Sequence, residues 1–226
     1  MDNLKVGIII PDRGDRPEFL ENCLRMMDNQ TRKPDHIELV NYPPVSGVVD
    51  ITPRYRTGYD NLRDKGFDCI LFIENDDWYS SVYIETMLTL WVNHGRPQLF
   101  GTNYTYYYHL GIRKYMRMLH LQRASAMNTL IKADLELSWG NDNDPYTDSW
   151  LWFRASKIYK WRRVSVDPGQ MIALGIKHNI GKTGGHFHNN KLERYDESDS
   201  DHTFLRGLMD PESYAFYSSL KMDDNP

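Results

Sequence analysis

Three carboxylates close the segment DCILFIENDDWYS, residues 68–80: Glu74, Asp76 and Asp77 follow directly on the apolar run Ile70-Leu71-Phe72-Ile73. In an extended segment alternate side chains share a face, so Glu74 and Asp76 point together into a cleft and Asp77 points elsewhere. Hard oxygen ligands of this kind suit Mg²⁺ or Mn²⁺, which keeps several waters and takes further ligands from substrate phosphates. The chemistry implied is the holding of a nucleotide diphosphate. The plainer alternative is a turn in which Asp76 and Asp77 cap a helix over Val82 to Asn93.

Further stretches carry chemistry. In DPYTDSWLWFR, Asp144 to Arg154, acids in a loop run straight into an amphipathic pattern. Core contacts from Trp150, Leu151 and Phe153 leave Asp148 at the helix start, facing the cleft or simply capping the helix. In GKTGGHFHNN, residues 181–190, glycines surround His186 and His188. A loop of that composition can close over a diphosphate, with either imidazole completing a metal shell and Lys182 near phosphate. Gly175 to Thr183 misses the phosphate-loop spacing by one residue, which sets aside a P-loop ATPase. TNYTYYYHLGIRKYMRM, from Thr102, offers Tyr104, Tyr106, Tyr107 and Tyr108 for stacking, with Arg113, Lys114 and Arg117 for anionic groups. Alternation on a strand would bury half of those tyrosines.

Positioning such groups takes a sheet. Val6 to Ile10, Ile37 to Val40 and Cys69 to Ile73 read as buried strands, while Phe19 to Gln30 and Tyr55 to Lys65 read as helices. The alternation predicts a mostly parallel sheet with right-handed crossovers and ligands at the carboxyl ends of the strands. Both PDRGDR, residues 11–16, and the acidic cluster lie at that edge.

Composition narrows the setting. The chain has 226 residues, 40% of them hydrophobic, enough for one α/β core. Its 27 Lys and Arg against 31 Asp and Glu give a net charge of −4, so nothing in the charge indicates a nucleic-acid partner. Cys23 and Cys69 read as buried free thiols of a reducing compartment. The acidic start MDNLKVGIII does not look like a signal peptide, and no apolar stretch approaches the roughly 20 residues needed to cross a bilayer. A soluble, cytoplasmic protein is expected.

The order of these motifs resembles that of the GT-A-fold glycosyltransferases of the inverting family 2 type. VGIIIPDRGDRPEFLENCLRMMDNQT resembles the family's opening strand, loop and helix. PRYRTGYDNLRDKGFDCILFIENDD resembles the approach to its Asp-x-Asp motif, with Glu74 at the first aspartate and Asp76 at the second. The match is good over about the first 80 residues and loose beyond.

The resemblance implies a single Rossmann-like α/β domain over 1–226. About 1–100 would be the nucleotide-sugar half, about 101–190 the acceptor half, and 191–226 a loosely attached polar extension. Pro11, Arg13, Asp15 and Arg16 would line the donor base and phosphates, with Glu74 and Asn75 at the nucleotide and Arg56 reaching it. Asn41 stands where an acid usually helps fix the base, which leaves uridine expected but unsecured. Asp76 would hold Mn²⁺ or Mg²⁺, with His186 or His188. Asp148 would be the base that takes the acceptor proton, although Thr147 replaces the first acid of the family's pair; Asp142 and Asp144 are the fallbacks. The implied partners are a nucleotide-sugar donor and a glycan or other hydroxyl-bearing acceptor, a hydroxymethylated DNA base included. A nucleotidyltransferase and a non-catalytic binding module are the alternatives; against the first, PDRGDRPE has only one glycine where a glycine-rich loop is needed.

Overall fold

The computed structural model describes residues 3–44, 47–166, 168–178 and 192–220. In chain order it contains β1 (Val6–Asp12), α1 (Pro17–Asp28), β2 (His36–Asn41), α2 (Ile51–Leu62), β3 (Cys69–Phe72), β4 (Trp78–Tyr79) and α3 (Tyr83–Asn93). There follow β5 (Leu99–Thr102), β6 (Tyr104–His109), β7 (Lys114–Leu119), β8 (Thr129–Lys132), α4 (Thr147–Ala155), β9 (Trp161–Val164), β10 (Ala173–Lys177) and β11 (Glu197–Ser198). Helices α5 (Thr203–Leu208) and α6 (Pro211–Ser219) complete the described chain.

The central sheet has the order β2-β1-β3-β8-β5-β9. Strand β8 runs against both neighbours and every other pairing is parallel, so the expected mostly parallel α/β sheet is present. Every residue of β1 is buried, as a parallel strand covered on both faces requires. Val6, Ile8 and Ile10 join a core with α1 and α3, whereas Ile9 joins a second core with Tyr55, Tyr59 and Leu62 of α2 and Leu151 and Trp152 of α4. Helix α2 presses closely on this face. A Cβ at Gly58 would lie 2.4 Å from Ile9 Cγ2. A smaller sheet has the order β11-β7-β6-β10-β4, with β4 and β10 paired antiparallel.

Helix α2 starts four residues earlier than the apolar pattern suggests. Pro53 lies in its first turn, where the missing N–H has no intrahelical partner to lose. Helix α4 buries Leu151, Trp152 and Ala155, while Phe153 is 53% exposed, which corrects the expected core contact. Trp152 is held by its indole N–H, which donates to Thr129 Oγ1 at 2.9 Å.

The acid-rich end is no loose extension over its described part. Tyr195, Leu205 and Tyr217 are buried. Asp199 accepts from the Phe204 and Leu205 N–H groups at the start of α5 and from the Tyr108 hydroxyl. Arg25 of α1 binds Asp210 and Glu212, fixing α6 against the first layer. Among the described residues no helix is long and apolar enough to cross a membrane, and both cysteines are buried free thiols.

Candidate functional site

The carboxyl ends of β1, β2 and β3 are tied together by one buried acid. Asp12 Oδ2 accepts from the Asn41 amide at 2.6 Å and from the Gly14 N–H at 3.1 Å, and Asp12 Oδ1 accepts from the Asn75 amide at 2.8 Å. Gly14 has φ +71°, a conformation that favours glycine, and this lets the PDRG turn fold back on Asp12. Asn41 therefore braces the strand ends and does not line the cleft beside them.

Arg54 braces the neighbouring wall from beneath. It is 1% exposed, donates to the carbonyls of Asp12, Val40 and Tyr42, pairs with Asp50 Oδ2 at 2.7 Å and stacks on the Tyr42 ring. Asp50 and the preceding Val48 and Val49 thus form a fixed side of the cleft.

That cleft has a volume of about 250 Å³. Pro11, Arg13, Arg16, Glu74, Asn75, Asp76 and Asp148, singled out from sequence, all line it. The two-residue alternation after β3 holds: Asp77 is buried on the other side and accepts from the Ile176 N–H of β10 at 2.8 Å. Burial pushes Asp77 well above the usual carboxylate range, with the charges of Glu74 and Asp76 adding to it against Lys177. Burial raises Glu74 as well, with the charge of Asp76 adding to it against Lys177. Lys177 stays charged: burial opposes this, but Asp77, Glu74 and Asp76 outweigh it.

Asp76 behaves oppositely. Burial would raise it, yet Arg16 and then His178 hold it well below the usual range. Arg16 Nη1 lies 2.9 Å from Asp76 Oδ2 and 3.4 Å from His178 Nε2, and these last two atoms are 3.2 Å apart. A carboxylate oxygen and an imidazole nitrogen thus converge on one cationic nitrogen. Ligands at about 2.1 Å in an octahedral shell stand about 3 Å from each other, so Asp76 Oδ2 and His178 Nε2, 3.2 Å apart, are spaced as two such ligands of Mg²⁺ or Mn²⁺ would be. Among the described residues no three His, Cys, Asp or Glu side chains make a complete metal cage. Any remaining ligands would come from water and phosphate.

The opposite wall carries Tyr107, Arg123, Thr147 and Asp148. Asp148 is the second residue of α4 and forms an ion pair with Arg123 through Oδ2. Burial draws the Arg123 guanidinium below its ordinary value. Thr147 Oγ1 meets Thr52 Oγ1 at 2.6 Å, which locks the helix start to α2. The fallback acids have structural partners: Asp144 binds the Trp150 indole and the Tyr146 N–H, and Asp142 clasps Arg56 with both oxygens. Arg56 is accordingly directed outward, away from the cleft. Asp15 flanks Arg13 and Arg16 at 3.6 and 3.9 Å without lining the cleft. Of the tyrosine stretch Tyr107 alone lines it, while Tyr108 is buried against Asp199. Lys182, His186 and His188 lie outside the described residues.

His178, Lys177, Arg123, Asp50 and Arg54 went unnoticed in the sequence. The first two had a legible signal, since ALGIKH ends an apolar strand in charged groups just as ILFIEND does. Arg123 had none, for only the packing of the loop after β7 brings it to Asp148.

No protein-family model and no curated protein matches the sequence. Among solved structures, S. aureus TarS aligns with a TM-score of 0.52 at 9% identity, over 76% of this chain and 36% of the TarS chain. TarS 1-349 in complex with UDP-GlcNAc aligns with a TM-score of 0.53 at 8% identity, over 79% and 60% of the two chains. The same fragment in complex with UDP gives 0.52 at 10% identity. The shared property is the fold. The match covers 36% of the first TarS chain and 60% of the 1-349 fragment.

Proposed function

We propose that the chain transfers a sugar from a nucleotide diphosphate sugar, a UDP-sugar in the first instance, to an acceptor hydroxyl with inversion at the anomeric carbon. One observation carries this reading: a single cleft at the strand ends brings Asp76, which the buried His178 contacts from behind, and the cations Arg16 and Lys177 together with the carboxylate Asp148. The likeness in fold to TarS, solved with UDP and with UDP-GlcNAc, agrees with it.

In this reading Val48, Val49 and Pro11 shape the base end of the cleft, with Arg13 and Asp50 as its polar groups. Arg16 and Lys177 bind the diphosphate oxygens. Asp76 and His178 would hold Mg²⁺ or Mn²⁺, which when bound would supply positive charge for the departing diphosphate. Asp148 accepts the proton of the acceptor hydroxyl as that oxygen bonds to the anomeric carbon and the carbon–phosphate oxygen bond breaks. A base facing the diphosphate across the cleft admits attack from the opposite face, which inverts the configuration. A thermal-shift screen of nucleotide sugars with and without Mn²⁺ tests this: a UDP-sugar should raise the melting temperature, and more so with Mn²⁺. No shift with any nucleotide sugar would overturn the proposal.

A further inference from the structure

We infer that Arg16 is an internal cation that holds the Asp76–His178 pair in the donor-free protein and releases it when a nucleotide diphosphate offers the guanidinium a new partner. Divalent metal and nucleotide then bind cooperatively. The inference rests on the proposed donor site and concerns how that site is guarded.

The geometry of the three groups carries it. Arg16 Nη1 has two hydrogens, and Asp76 Oδ2 at 2.9 Å and His178 Nε2 at 3.4 Å are placed to receive one each. His178 Nε2 accepts from Arg16 only as a bare lone pair, and that lone pair then faces the Asp76 oxygen at 3.2 Å. If Nε2 carries a proton instead, it donates to Asp76 and cannot accept from Arg16. Either tautomer leaves one of the three contacts unsatisfied. A metal ion suits both lone pairs at once, so Arg16 is an imperfect occupant of a point suited to a smaller and more charged cation.

Arg16 is also free to leave. It precedes α1 as the N-cap residue, lines the cleft, and its other polar contacts are long: Asn75 Oδ1 at 3.4 Å and Asp15 Oδ1 at 3.9 Å. A diphosphate in the cleft presents paired oxygens to which a guanidinium binds in bidentate fashion. His178 would stay in place, since it is fully buried with its ring 4.6 Å from that of Phe19. Whatever factor nucleotide adds to metal affinity, metal must add to nucleotide affinity.

The test is titration of the full chain with Mn²⁺, read by the electron paramagnetic resonance of the free ion, with and without saturating UDP. For the wild type, UDP should tighten Mn²⁺ binding on the order of 5- to 150-fold. Arg16→Gln should tighten UDP-free Mn²⁺ binding by about tenfold and shrink the effect of UDP correspondingly. Arg16→Lys provides a second variant should Gln disturb the loop: its single ammonium reaches both lone pairs poorly, so UDP-free affinity should again rise, though less. Unchanged or weaker UDP-free Mn²⁺ binding in both variants, with UDP-dependent binding intact, overturns the inference and leaves the donor site standing. Absence of Mn²⁺ binding to a UDP-saturated wild type overturns the metal assignment and this inference together.

Discussion

Replacing Asp148 by Asn separates a base from a brace. The amide keeps the volume of the carboxylate but has a single acceptor oxygen, so it can keep either the Arg123 contact, made to Oδ2, or the Ser149 N–H contact, made to Oδ1. The two side chains are 14% and 24% exposed, so the lost ion pair is partly screened and costs stability by about 1 kcal/mol or less. For a chain of this length that lowers the melting temperature by about 2–4 °C. Loss of a general base is much larger: about 10²- to 10⁴-fold in kcat, or roughly 3–5.5 kcal/mol of barrier. Turnover at saturating UDP-sugar, calorimetric binding of UDP, and a melting curve on the same samples resolve the two effects. Arg123→Gln is the companion variant, because it removes the partner and leaves the carboxylate. If Asp148 serves only to hold Arg123, both variants should lose the same activity; if it is the base, Asp148→Asn should lose far more. Near-normal kcat in Asp148→Asn with intact UDP binding would refute the assignment, and a product with the donor's anomeric configuration by NMR would refute inversion.

Asp77→Asn should stabilise the protein more at higher pH than at lower pH. Burial raises the folded-state Asp77 above its unfolded value of about 3.9, so wild-type stability falls as pH rises above that value, whereas the amide does not titrate. Urea melts at pH 5 and pH 8 check this, and a pH-independent difference between variant and wild type would count against the raised Asp77. Arg54→Met should cost about 3–5 kcal/mol, because it strands Asp50, 8% exposed, beside carbonyls that lose their donor; a loss under about 1 kcal/mol in urea would show that water replaces the guanidinium freely. Asp76→Asn should keep the fold but abolish UDP-dependent Mn²⁺ binding, since it removes the anionic ligand while sparing the buried Asp77. Unaltered Mn²⁺ calorimetry in that variant would move the metal elsewhere.

The strands were legible because burial on both faces leaves continuous apolar runs, as in VGIII and CILF. The acidic cluster was legible for the same reason, since charge placed immediately after such a run must sit at a sheet rim. Roles that depend on a partner far along the chain were not. Asn41 reads as the residue that helps fix the base, and the structure gives its amide Asp12 as a partner; Arg56 reads as reaching the nucleotide, and the structure pairs it with Asp142, 86 residues away. His186 and His188 drew notice as a pair in a glycine-rich loop, while His178 stood alone in sequence and became notable only beside Asp76. The aromatic stripe of α4 was misassigned by one position because Trp150, Trp152 and Phe153 are similar in kind and only packing against Thr129 chooses among them.

The pattern of charge around the cleft bears on why a divalent ion belongs to the proposed chemistry at all. Its lining includes Arg13, Arg16, Arg54, Arg123 and Lys177 against Asp50, Glu74, Asp76 and Asp148, five cations to four acids. Three of those cations are already committed: Arg54 to Asp50, Arg16 to Asp76 and Arg123 to Asp148. Lys177 is held charged against burial by Asp77, Glu74 and Asp76. The donor-free cleft is therefore close to neutral, and a diphosphate brings more negative charge than the remaining excess can balance. Arg16 can turn to the phosphates only if Asp76 finds another cation. On the proposed reading a divalent ion at Asp76 and His178 would meet both needs at once, with Arg16 and the ion as successive partners of Asp76.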